Sequence, residues 1–293
     1  MSVYKINTGE FNILVAQRKD EAIREELLEL FKQDLFFYHF SKGVNYFKKR
    51  NDFLGSYELV DNKTYFIFRD LMYKVEDCDS DVNNILICFS SMPLIADSSS
   101  SSVFKRFCVD NYQNIRKHLP QGTLIIRVYD INRRVGSFYC NTNNFMDYES
   151  QIQELIGDVS VKYPNASICL WGTSKGGTAA LKYGQLMNLD FVANDPIISL
   201  AHGDLDRTKA TFLDDFKNDI LVEPYRDYSK SGAIISSEKI AKNFFFAKEF
   251  KSNHINVYNM NLPEITNHGE VLKQSLSINI AEINNAFHKK YLY

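Results

Sequence analysis

The chain carries almost no excess of charge of either sign. Its 34 lysines and arginines stand against 36 aspartates and glutamates, a formal net charge of −2 over 293 residues. That balance excludes the broad basic footprint of a nucleic-acid-binding protein, although a local basic groove is compatible with it. No apolar run approaches the roughly 18 residues that a membrane helix needs. The segment Met1 to Lys19 lacks the apolar core of a secretion signal. The five cysteines, Cys78, Cys88, Cys108, Cys140 and Cys169, are odd in number and include no pair with metal-ligand spacing. A disulfide framework and a thiolate metal centre are thereby disfavoured. Cys88 and Cys169 fall in apolar runs, as reduced thiols of a cytoplasmic protein would. There is no internal repeat and no G-x-x-x-x-G-K-[ST] phosphate loop. What remains is an ordinary globular composition, 45% hydrophobic and 24% charged, with length for one large α/β domain or two small ones. The phenylalanines and tyrosines are numerous enough for sugar or base stacking, but core packing accounts for them more simply.

Residues 1–55 read as an N-terminal helical and aromatic extension. Ile23, Leu27, Leu30, Phe31 and Leu35 recur at helical spacing between Asp20 and Leu35. Phe36 to Phe53 mixes aromatics with Lys42, Lys48, Lys49 and Arg50: a solvated face with aromatic anchors, or part of an acceptor groove. Tyr57–Val60 and Thr64–Phe68 flank Asp61-Asn62-Lys63 and predict a hairpin. Beyond it, short apolar runs at 84–89, 123–129, 167–171, 191–194, 233–236 and 255–258 alternate with helical patterns near 103–118, 147–162, 176–187, 236–249 and 269–287. Such alternation predicts a mostly parallel sheet with helices on both faces and an antiparallel edge, over a domain spanning 56–293. The serine run 98–102 reads as a mobile loop, and the polar stretch 203–230 as a lid over the active site.

Gly172-Thr173-Ser174-Lys175-Gly176 matches G-x-S-x-G. The chemistry behind that spacing is a sharp strand-to-helix turn that presents a strained serine at the carboxyl edge of a sheet. The β-like run Ser167–Trp171 precedes it, and the small residues Gly177, Thr178, Ala179 and Ala180 follow, so Ser174 is the expected nucleophile. Its base should come last in the chain, after the final strand. Of the six histidines, His268 alone fits that order and topology. The acid that orients the imidazole is expected after the penultimate strand, at Glu238, with Asp195 after the preceding strand as the alternative. Asp204 and Asp206 in the lid are lesser candidates. Two N–H donors must stabilise the oxyanion: the backbone of Lys175, and one from Ser90, Ser91 or Met92.

With these residues in place, the chain resembles α/β-hydrolase-fold bacterial capsular polysaccharide O-acetyltransferases, related capsule biosynthesis proteins and the sugar O-acetyltransferases of accessory Sec systems. The resemblance rests on Ile87-Cys88-Phe89-Ser90-Ser91-Met92, on Asp130 with Gly136-Ser137-Phe138-Tyr139, and on Gly172-Thr173-Ser174-Lys175-Gly176-Gly177. It covers about 80–293. The chain departs from the pattern at Ile240, where an aspartate is usual. The resemblance implies an acetyl group moved from acetyl-CoA, through an acyl-Ser174 intermediate, to a polysaccharide hydroxyl, in a cytoplasmic bacterial enzyme associated with capsule machinery and using no metal. A carbohydrate esterase or deacetylase would use the same residues, and an assembly protein with an inert serine turn is the non-enzymatic alternative.

Overall fold

The computed structural model describes residues 3–54, 64–78, 80–94, 96–200 and 220–289. The N-terminal part is a small module. β1 (Tyr4–Asn7), α1 (Ile13–Ala16), α2 (Glu21–Lys32), β2 (Leu35–Ser41), β3 (Val44–Lys49) and α3 (Arg50–Leu54) follow one another, and the three strands pair antiparallel in the order β1-β3-β2. α2 begins at Asp20, whose carboxylate accepts the N–H groups of Ala22 and Ile23 and so satisfies donors that the first turn leaves open. Leu27, Leu30 and Phe31 on its inner face pack on Ile13, Phe37 and Phe47.

The remainder is built on an eight-stranded sheet. In chain order its strands are β4 (Tyr65–Phe68), β5 (Leu71–Glu76), β6 (Asn84–Phe89), β7 (Thr123–Tyr129), β8 (Ser167–Thr173), β9 (Asp190–Asn194), β10 (Gly232–Ser236) and β11 (Ile255–Asn259). Their spatial order is β11-β10-β9-β8-β6-β7-β5-β4. Pairings from β7 through β11 are parallel, and β4 and β5 are antiparallel at one edge. The antiparallel edge is made one strand later than the sequence predicts: Tyr65–Phe68 pairs forward with Leu71–Glu76 about Arg69, which takes φ +51°. The Tyr57–Val60 arm lies outside the described residues.

The central strands carry apolar side chains on both faces, as strands covered on both sides must. Along β6, Ile85, Ile87 and Phe89 join one core with Ile152 and Leu155 of α5 (Tyr148–Lys162) and Ala179, Ala180 and Tyr183 of α6 (Lys175–Leu186). Leu86 and Cys88 point the other way, toward Ile283 and Phe287 of α9 (Leu276–His288). Several helical expectations break into shorter pieces. The pattern at 103–118 becomes α4 (Val103–Phe107) and a 3-10 turn at Ile115–His118, and 236–249 becomes α7 (Ala241–Ala247) with a 3-10 turn after it. The pattern at 269–287 divides at Ser275 into α8 (His268–Gln274) and α9.

Two segments read as irregular have definite roles. The serine run is no loose loop: Asp97–Ser99 is a 3-10 turn and Ser99 is buried. Of the stretch read as a lid, 203–219 lies outside the described residues. Within 220–230, Leu221, Val222 and Tyr228 are buried against the body of the domain. No helix among the described residues is long and apolar enough to cross a membrane.

Candidate active site

Because β6, β8, β9 and β11 run parallel, the residues that follow them emerge at one edge of the sheet. Those residues are Ser90–Met92, Ser174, Asp195 and His268.

Ser174 is held at φ +52°, ψ −118° between β8 and α6. Non-glycine residues rarely occupy that region, and they do so where the surrounding structure imposes it. Here the imposition is close backbone packing. A Cβ on Gly172 would stand 2.2 Å from the Gly176 carbonyl oxygen, and a Cβ on Gly176 would stand 2.2 Å from that of Phe89. The Ser174 N–H donates to Asn194 O (2.8 Å), which ties the turn to the end of β9. The Ser174 hydroxyl is half-buried and makes no hydrogen bond among the described residues.

Asp195 follows directly on Asn194 and also has positive φ, +39°. Its carboxylate is 1% exposed and fully engaged. Oδ1 accepts from Ser236 Oγ (2.6 Å), and Oδ2 accepts from Asn243 Nδ2 (3.0 Å) and from Nδ1 of His268. An Nδ1–H that donates to Asp195 leaves the lone pair of Nε2 as the basic site of the imidazole. His268 opens α8, where Asn267 caps the helix by accepting the Gly269 N–H (3.0 Å). Its side chain is 37% exposed.

Of the two acids weighed from sequence, the structure brings Asp195 to the imidazole and leaves Glu238 away from it. Glu238 is exposed: its N–H donates to Asn259 Oδ1 (3.0 Å) and its carboxylate accepts from Asn261 Nδ2 (2.5 Å). The end of β10 is turned toward β11, and Ser236 serves the Asp195 carboxylate instead of preceding an acid of its own. Asp204 and Asp206 lie outside the described residues.

The three loop residues suggested as oxyanion donors are not equivalent. The Ser90 N–H is committed to Val128 O (3.2 Å). The backbone N–H groups of Ser91, Met92 and Lys175 have no hydrogen-bond acceptor among the described residues. Asn111, which sequence reading did not single out, joins the loop after β6 to the end of β8. Its Oδ1 accepts from Ser91 Oγ (3.1 Å) and its Nδ2 donates to Thr173 Oγ1 (3.1 Å), one residue before the serine. Asn243 was missed as well. Asn111 lies in a turn after α4 and Asn243 in the first turn of α7; neither has a motif of its own, and only their three-dimensional neighbours mark them.

The Lys175 side chain turns inward and is wholly buried. Its ammonium donates to Val135 O (2.8 Å) and lies 3.5 Å from Asp130 Oδ2. Burial pushes its pKa below the ordinary lysine value, and Asp130 partly offsets the shift. The same Asp130 oxygen accepts the N–H groups of Ser137 (2.7 Å) and Tyr139 (3.2 Å). The Tyr139 hydroxyl donates to Val128 O (2.9 Å) and pairs with Ser90 Oγ (2.9 Å). Asp130 therefore links the residue after the serine to the loop after β6 through one carboxylate. Gly136, at φ +101°, leaves the space that this ion pair fills, since a Cβ there would stand 2.3 Å from both Asp130 Oδ2 and Lys175 Nζ. No group of three or more His, Cys, Asp or Glu residues is placed to hold a metal ion among the described residues.

No family model matches the chain, and no curated protein matches its sequence. Solved structures do. The capsule O-acetyltransferase of Neisseria meningitidis serogroup A superposes with a TM-score of 0.53 at 16% identity, over 75% of this chain and 94% of that one. The glycosylation-associated protein (Gap123) complex from Streptococcus agalactiae gives a TM-score of 0.52 at 15% identity, over 85% of this chain and 51% of that one. Sheet order, strained serine turn and these likenesses agree on the architecture: the chain has the α/β-hydrolase fold.

Proposed function

We propose that this protein is a serine-dependent O-acetyltransferase that moves an acetyl group from acetyl-CoA to a hydroxyl of a bacterial surface polysaccharide. The observation that carries the reading is the strained Ser174 at the same sheet edge as an Asp195–His268 pair whose Nε2 is left basic. In this mechanism Nε2 of His268 takes the proton of Ser174 as its Oγ attacks the thioester carbon. The oxyanion forms against the Lys175 N–H and that of Ser91 or Met92. His268 returns the proton to the departing thiolate, leaving acetyl-Ser174. It then takes the proton of a sugar hydroxyl that attacks the acetyl carbon, and returns it to Ser174 Oγ. Asp195 keeps the imidazole in the required tautomer and balances its transient charge. One oxyanion donor is worth roughly 3 kcal/mol of transition-state stabilisation in such chemistry, so the tie from Ser91 through Asn111 to Thr173 matters for rate. The motif resemblance supports the carbohydrate acceptor and the thioester donor, and it supports work beside capsule biosynthesis machinery.

The 37% exposure of the His268 side chain favours a second reading, an esterase or deacetylase, because water reaching Nε2 would compete for the acyl-enzyme. Free CoA release from acetyl-CoA separates the two. Release that depends on added polysaccharide supports transfer. Release at one rate with and without polysaccharide, together with turnover of a simple aryl acetate, supports hydrolysis. Full biological function of Ser174→Ala would establish a non-catalytic role instead.

A further inference from the structure

Buried cations in this fold are generally matched by carboxylates: Arg50 by Asp34, Arg127 by Glu76, Lys175 by Asp130 and Lys182 by Glu149. One cluster breaks the rule. Arg134 lies in the loop between β7 and α5, and it turns onto the serine run. Its Nε donates to Ser98 O (3.2 Å), and its Nη2 donates to Ser98 Oγ (3.3 Å) and Ser99 Oγ (3.1 Å). Arg18, from the turn after α1, donates to the same Ser99 Oγ (2.6 Å). Arg106 of α4 stands behind them, 1% exposed, with its guanidinium against the rings of Phe36, Phe37 and Phe107, Nη2 on Phe37 O and Nε without a hydrogen bond. No carboxylate pairs with any of these guanidinium groups among the described residues.

Like charges gathered in a partly dry setting repel, and hydroxyls and carbonyls do not neutralise them. Burial and the neighbouring Arg18 push the Arg134 pKa down to about 10; burial and Arg134 push that of Arg106 down to about 9. An anion bound there would supply the opposite charge. Arg134 Nη1 makes no hydrogen bond and is not sealed from solvent, and Arg18 is exposed, so both retain donors for one. Forked donors of this kind fit the oxygens of a phosphate better than a point charge does.

We propose that Arg134 and Arg18, with the Ser98 and Ser99 hydroxyls, form a phosphate-binding site. An indirect link joins it to the serine turn. Arg134 is one peptide unit, about 3.8 Å between α-carbons, from Val135, whose carbonyl holds the Lys175 ammonium. Ser98 and Ser99 continue the segment that begins at Ser91 and Met92. On this proposal a phosphate held there is part of the substrate that reacts at Ser174. The identity of that substrate rests on the acyl-transfer reading: the phosphates of a CoA thioester, or those of a phosphodiester-linked polysaccharide.

Calorimetric titration with inorganic pyrophosphate, adenosine 3′,5′-bisphosphate and a phosphodiester-linked oligosaccharide tests it without catalysis. Pyrophosphate is expected to bind the wild-type protein and to lose about tenfold in affinity in Arg134→Gln and several-fold in Arg18→Gln. Arg18→Gln, at an exposed position, keeps the test decisive if Arg134→Gln fails to fold. A matching loss for the adenosine bisphosphate identifies the donor; a matching loss for the oligosaccharide identifies the acceptor. Absence of pyrophosphate binding, or equal binding by wild type and both variants, overturns the site. Failure of the acyl-transfer reading would show separately, as no acetylation of Ser174 in a protein that still binds pyrophosphate.

Discussion

At the scale of single residues, the account turns on which carboxylate serves His268. Asp195 accepts from the imidazole, from Asn243 and from Ser236, whereas Glu238 faces solvent and Asn261. Asp195→Asn is expected to lower acyl-transfer turnover by roughly three to four orders of magnitude, as loss of the correct imidazole tautomer does in serine enzymes. Glu238→Gln should leave turnover within twofold, roughly the scatter expected of a surface change; steady-state rates of the two variants side by side check this. Sequence reading singled out Ser174 and His268 because each has a local signature, a glycine-framed turn and a strand–loop–His-Gly–helix order. It ranked the acid by strand order alone, and nothing local in Asn194-Asp195-Pro196 signals that Ser236 and Asn243 converge on it. Lys175 poses a second test. Lys175→Met leaves Asp130 buried without its cation, which costs about 3–5 kcal/mol. Adding Asp130→Asn should recover part of that loss, measured by chemical denaturation of the single and double variants.

At the scale of elements, the serine turn depends on backbone approaches that admit no side chain. Gly176→Ala drives a Cβ to 2.2 Å from Phe89 O, within the contact between α6 and β6. It should destabilise the protein by several kcal/mol, a cost on the order of other core overpacking. Gly157 in α5 is the control, because a Cβ there meets nothing within 4 Å. Gly157→Ala should stabilise by about 0.5–1 kcal/mol through helix propensity. Thermal melts of the two variants should therefore move in opposite directions. The central strands and α5 and α6 were legible from apolar runs and period alone. The divided helices at 103–118 and 269–287 were not, since apolar spacing continues across Ser275 while its hydroxyl turns back to Val271 O (2.6 Å) and accepts from Asn194 Nδ2 (2.5 Å). The ordered serine run was also illegible, because its order comes from Arg18 and Arg134, far away in sequence.

At the scale of the whole molecule, the buried thiols set an alkaline limit to stability. Burial pushes Cys88 up to about 12 and Cys140 up to about 11, above the ordinary thiol value of 9.0. The folded state holds these protons after the unfolded chain has released them. Stability is therefore intact below about pH 9 and falls as pH rises toward 11–12, which denaturation midpoints across that interval should follow. At the same scale, four parallel strands, distant in sequence, bring Ser174, Asp195, His268 and the Ser90–Met92 loop to one edge. The central claim is that this edge forms a covalent acyl-enzyme on Ser174. Intact-mass measurement after mixing with acetyl-CoA tests it directly. The account predicts that the wild-type protein gains one acetyl group, mapped to Ser174, and that Ser174→Ala gains none. An unchanged wild-type mass under conditions where CoA is released, or equal acetylation of Ser174→Ala, would contradict it.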